Sequence, residues 1–172
     1  MIKMTSAYAN KLLKKLNEDM SFWLNRENEG STYIAAVDET PIIPEYDYSD
    51  VTSHINDIND KIARIKHAIN VNNVNNRIPV GDTEMSVDEI LVKMAQLNRR
   101  KCTLDVMRKQ QPKSRINNSS VYSARKLSPE YQYINYDPNK VNADYEHVDS
   151  MICEMQLALD RYNQTFEFEV EV

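Results

Sequence analysis

Between Tyr48 and Ile69 the chain places Tyr48, Val51, Ile55, Ile58, Ile62, Ile65 and Ile69 alternately three and four positions apart. That spacing returns apolar side chains to one line of an α-helix at every heptad, as in a helix built to lie along another helix. Asp50, Asp57, Asp60, Lys61, Arg64 and Lys66 fill the remaining faces. Each isoleucine removed from water stabilises by about 1.5–3 kcal/mol, so the stripe requires a partner surface. Asp47 or Ser49 is a suitable N-cap. The asparagines 70, 72, 73, 75 and 76, followed by Pro79 and Gly81, are expected to end the helix in a turn.

Three further helices are predicted on the same grounds. Ala9, Leu12, Leu16, Met20 and Trp23 define a helix over residues 6–28, with Leu13 and Leu24 widening its stripe and Gly30 at the C-cap. Val87, Ile90, Met94, Leu97 and Leu104 define another, opened by a capping box of Ser86 and Glu89 and stopped before Pro112. The fourth runs from Pro138 to Asn163. Short strands are expected at Thr32–Val37, at Tyr131–Tyr136, and at Thr165–Val172, where apolar and acidic residues alternate. Residues 113–128 lack periodicity and read as a loop. With two glycines in 172 residues there is little material for a many-stranded sheet or a glycine-rich phosphate loop.

The expected architecture is therefore mainly α: four long helices in antiparallel coiled-coil-like hairpins with two or three short β-strands. The length fits one domain. Two similar helix–strand–helix halves, 1–75 and 82–172, are expected within it, because an offset of 90 residues matches Tyr46-Asp47 with Tyr136-Asp137. At that offset Val51, Ile58, Ile62, Ile65 and Ile69 fall on Val141, Val148, Ile152, Met155 and Leu159. Heptad helices slide into agreement easily, so the shared Tyr-Asp entry carries the weight.

No basic start followed by an apolar run opens the sequence, and no apolar run reaches the ~18 residues a membrane span needs. Cys102 and Cys153 lack CxxC spacing and are expected as buried thiols in a reducing compartment. A cytoplasmic protein is expected.

The segment Ile69-Asn70-Val71-Asn72-Asn73, followed by the helix from Met85 to Met107 with its Leu97-Asn98-Arg99, resembles the septicolysin-like family of uncharacterised small bacterial helical proteins. The resemblance spans most of the chain and implies a helical fold and self-association, with no catalytic residues to carry over. The family label implies a pore-forming toxin, which the missing export signal and membrane-length segment disfavour. Two departures are the long aromatic stretch from Gly30 to Tyr48 and the acidic strand at the end.

No constellation for catalysis, cofactor binding or metal ligation stands out. His54 and His67 are too far apart for one ligand face, and His147 and the acid pairs Asp57/Asp60 and Glu18/Asp19 read as solvated helix faces. No nucleophile elbow, P-loop or dinucleotide fingerprint is present. The strongest charge feature is the run from Arg99 to Lys126, with nine basic residues against Asp105. Arg99, Arg100, Lys109, Lys113, Arg115, Arg125 and Lys126 are candidate phosphate contacts. The competing reading, neutralisation of acidic surface elsewhere, is favoured by an overall charge of −5. Tyr122, Tyr131, Tyr133, Tyr136 and Tyr145 are expected to form one side of the small sheet against the helices. Phe166, Phe168 and Val170 lie on an edge strand suited to self-association. The leading expectation is a non-enzymatic structural or protein-interaction protein that forms homo-oligomers. A nucleic-acid-associated protein using residues 99–126 is the alternative.

Overall fold

The computed structural model describes residues 1–116 and 130–171. Helix accounts for 65% of the described residues. In chain order the described elements are β1 (Ile2–Thr5), α1 (Ser6–Gly30), α2 (Tyr48–Asn75), β2 (Arg77–Val80), β3 (Thr83–Ser86), α3 (Val87–Arg108), β4 (Lys113–Arg115), β5 (Tyr131–Tyr133), α4 (Pro138–Thr165) and β6 (Glu167–Val170). The strands form antiparallel two-stranded ribbons: β1 with β6, β2 with β3, and β4 with β5. Two compact units divide the chain, Met1–Asp88 with Ala158–Val172, and Glu89–Leu157.

In the first unit α1 packs on α2 through Ala9, Leu13, Leu16, Ile58 and Ile65, with Met4 of β1 and Val170 of β6 in the same cluster. The heptad resolves into two lines. Val51, Ile58 and Ile65, seven apart, are buried, while Ile55, Ile62 and Ile69 are half-buried beside them. The next position on the buried line is Asn72. Its Nδ2 donates to the Tyr162 hydroxyl at 2.7 Å, and its own Oδ1 and backbone oxygen accept from Asn76 Nδ2 at 2.7 and 2.8 Å. The amide therefore sits in the core with its hydrogen bonds made, as a buried polar group must. Asp47 caps α2, its Oδ1 accepting from Ser49 N and Asp50 N.

In the second unit Leu104 of α3 meets Val141 and Val148 of α4, flanked by Leu97, Met107, Tyr136, Tyr145 and Ile152. The Tyr136 hydroxyl donates to the Met107 carbonyl at 2.7 Å, tying the entry of α4 to the end of α3. Lys101 pairs with Asp149 between the two helices, and that hydrogen bond raises the lysine pKa.

The elements recur along the chain. Helices α2 and α4 each have 28 residues, and strands β2 and β6 each have four; the members of each pair begin 90 positions apart, the separation of Asn72 from Tyr162. Buried Val51, Ile58, Ile65 and Asn72 have their counterparts in buried Val141, Val148, Met155 and Tyr162. The caps agree as well: Asp137 Oδ1 accepts from Asn139 N as Asp47 Oδ1 does from Ser49 N. Strands β1 and β3 each lead directly into a helix, α1 and α3, with Ile2 and Thr83 as corresponding first residues.

Several sequence expectations are corrected. Thr32–Val37 forms no strand; it runs irregular and exposed between α1 and α2. The asparagine cluster ends α2, at Asn75 with Asn76 as C-cap, but the chain passes directly into strand β2 rather than into a turn. A hairpin then follows in which Val80 pairs with Thr83 around Gly81-Asp82, with Gly81 at φ 55°. Gly30 is the last residue of α1 rather than its cap, and Ser31 N closes the helix on Glu27 O. Lys113–Arg115, expected in a loop, is β4.

Candidate functional site

The exposed apolar surface of the first unit concentrates in the connection between α1 and α2. Ile34, Val37 and Ile42 are each at least 93% exposed, and Tyr33 and Ile43 are exposed beside them. Phe22, exposed on α1, lines a cleft of about 360 Å³ with Arg26, Glu29, Gly30, Pro44 and Glu45. The connection is anchored at its far end. A Cβ on Gly30 would sit 2.8 Å from Cβ of Tyr46, so glycine lets that ring lie against the helix. Desolvation raises the Tyr46 pKa, and the Glu27 carboxylate adds to it. Large apolar side chains gathered in one segment and left this exposed gain by meeting a partner.

In the second unit the ribbon of β4 and β5 carries a different surface. Lys113 lies opposite Tyr133 and Arg115 opposite Tyr131, and directly opposed residues of an antiparallel pair share a face. Two tyrosines and two cations thus line one face, with Lys113 Nζ 4.2 Å from the Tyr131 ring centre and 5.5 Å from that of Tyr133. Both rings are exposed, so they do not form the helix-covering side of a sheet as expected. Ser114 and Gln132 occupy the opposite face.

The basic run is divided in its roles. Arg108 and Lys109 both bind Asp105, holding its carboxyl below the usual range through hydrogen bonds from Lys109 and Arg108, and Arg108 stacks on Tyr145 at 3.8 Å. Lys101 is taken by Asp149. Arg99, Arg100, Lys113 and Arg115 make no ion pair among the described residues. Arg125, Lys126 and Tyr122 lie outside the described residues.

Other expected site residues are dispersed. Val170 is buried in the first core and Phe168 packs against it, while Phe166 stacks on Tyr162 at 4.9 Å. β6 is also paired along one edge by β1, which takes up part of the edge expected for self-association. Cys102 and Cys153 are exposed, a correction explained by their position beside rather than on the lines of Leu104 and of Ile152 and Met155. His54 stacks on Trp23 with ring centres 4.0 Å apart and lies 3.4 Å from Asp50. Among the described residues no three His, Cys, Asp or Glu side chains converge, and no helix is long and apolar enough to cross a membrane. The juxtaposition of these four residues is not legible in the sequence because it depends on strand register. Two tyrosines two apart, and two cations two apart, were its visible trace.

No family model matches the chain, and no curated protein matches it. Among solved structures, the crystal structure of a functionally unknown conserved protein from Corynebacterium diphtheriae is similar, with a TM-score of 0.65 and 12% identity, over 98% of this chain and 100% of the other. At that identity the likeness is one of fold.

Proposed function

We propose that this chain is a non-enzymatic interaction protein that works by self-association through the connection between α1 and α2. The carrying observation is the near-complete exposure of Ile34, Val37 and Ile42. Transferring side chains of this kind out of water is favourable by about 1.5–3 kcal/mol each. An antiparallel coiled-coil hairpin of α1 and α2, in which Trp23 late in one helix meets His54 early in the other, would present the connection at one end as a contact surface. Kinship with the septicolysin-like proteins and a cytoplasmic location belong to the same proposal. Light scattering on the purified chain tests it. The expected result is a dimer or larger, reduced to monomer by Ile34→Asp with Val37→Asp; a monomer at high concentration without substitution overturns it.

A second reading, association with nucleic acid, is supported by the β4–β5 face. Tyr131 and Tyr133 offer stacking surfaces for bases, and Lys113 and Arg115 offer contacts for phosphates. Arg99, Arg100 and Lys109 would extend the electrostatic footprint. Steep salt-dependent retention on a polyanion, lost in Lys113→Ala with Arg115→Ala, is expected on this reading; absence of retention at low salt removes it.

A further inference from the structure

The recurrence of elements gives the connection between α1 and α2 a template. From the end of α3, β4 (113–115) corresponds to Thr32–Ile34 after α1, counting from Ile2 and Thr83 as matched starts. From the start of α4, β5 (131–133) corresponds to Pro41–Ile43 before α2, at the 90-residue offset. In the second unit these positions pair as a ribbon, closed by Ile134 N donating to Pro112 O at 3.3 Å. In the first unit they do not pair. The sequence supplies a reason: Pro44 stands where Ile134 donates, and proline has no N–H to give, so the bond that closes the ribbon in the second unit has no counterpart in the first. Thr32–Val37 is thereby left with strand-forming side chains, all its N–H donors and no strand partner within the described chain.

Resting on the self-association reading, we infer that Thr32–Val37 pairs antiparallel with the same segment of a second copy of this chain, across a two-fold axis at Ala35. The occupant is a second copy because Ser31–Val37 carries no charge, so self-pairing opposes no like charges, whereas a charged partner would find nothing to complement. Two-fold symmetry requires one residue to face itself, since hydrogen-bonded and non-hydrogen-bonded pairs alternate along an antiparallel ladder. Centring on Ala35 sets Tyr33 opposite Val37 and Ile34 opposite Ala36 of the other copy, an aromatic–β-branched pair and a large–small pair. Centring on Ile34 would instead set Val37 opposite Ser31, next to the end of α1, and Tyr33 opposite Ala35.

The test uses the full chain with Cys102→Ser and Cys153→Ser, which removes both exposed thiols, and adds Ala35→Cys or Ile34→Cys in turn. Mild oxidation is expected to join Ala35→Cys into a covalent dimer in high yield, since self-opposed Cβ atoms approach disulfide distance, and to join Ile34→Cys poorly. Circular dichroism and light scattering before oxidation confirm that each variant is folded and associated. A dimer in which Ala35→Cys cross-links no better than Ile34→Cys overturns the strand pairing and leaves self-association standing. A monomer overturns both.

Discussion

Asn72 sits where the heptad calls for another isoleucine, and its tolerance there depends on Tyr162. The amide and the phenol satisfy each other at 2.7 Å inside the first unit. Asn72→Ala removes one partner and leaves the Tyr162 hydroxyl buried without it, so a loss of about 1–3 kcal/mol is expected in urea unfolding. Tyr162→Phe removes the other, and a double-mutant cycle should show the two losses to be coupled rather than additive. A pH dependence follows from the same pair. Desolvation raises the Tyr162 pKa, and the hydrogen bond donated by Asn72 partly offsets it. The folded value therefore lies above the unfolded one near pH ~10. The contribution is complete below that pH and is lost as pH rises through the folded value. The stability difference between the native chain and Tyr162→Phe should accordingly shrink in alkaline solution, measured by urea midpoints on either side of the phenol's ordinary pKa. Ser6 is the contrasting case: its buried Oγ has no partner among the described residues, and Val87 holds the corresponding place as first residue of α3. Ser6→Ala should leave stability unchanged or raise it by up to about 1 kcal/mol, because an unsatisfied hydroxyl returns nothing for its desolvation.

At the level of elements, periodicity was readable and pairing was not. The isoleucine line marked α2, yet it did not separate the fully buried positions Val51, Ile58 and Ile65 from the half-buried Ile55, Ile62 and Ile69. That distinction arises from how α1 lies on α2. Ile65→Ala is expected to cost about 2–5 kcal/mol, as truncation of a fully buried isoleucine leaves a cavity, and exposed Val71→Ala well under 1 kcal/mol. Thermal unfolding of the two variants in parallel gives the comparison. Short strands are hidden in the sequence for opposite reasons. Arg77–Val80 and Thr83–Ser86 are four residues each, too brief to show alternation, with Pro79 inside one of them. Thr32–Val37 has the composition of a strand, but in the segment that would pair with it Pro44 replaces the donor that Ile134 supplies to the ribbon of the second unit. Composition reports what a segment can do; a strand also needs a neighbour. The exposed thiols have a similar origin, since Cys102 and Cys153 lie two positions from buried Leu104 and Met155, and a helix turns that small offset into a different face.

On the scale of the molecule, the surfaces left over after folding decide what the chain can do. The cations of residues 99–109 are partly absorbed by Asp105 and Asp149, which leaves the β4–β5 face as the basic surface with aromatic support. The connection between α1 and α2 differs in kind, because its side chains are apolar and gain by leaving water. If copies associate through it, association and folding are linked: a partner that binds the folded chain and not the unfolded one stabilises by mass action. The thermal midpoint should then rise with protein concentration, and a tenfold increase should add about 1.4 kcal/mol per mole of dimer where dimer unfolds to monomers. Ile34→Asp with Val37→Asp touches no buried residue, so it should leave the circular dichroism of the folded chain intact while making the midpoint independent of concentration. A midpoint that never depended on concentration in the unaltered chain, across the range where light scattering is performed, would mean that these isoleucines and valines remain in water. The energetic case for the connection as a contact surface would then fail.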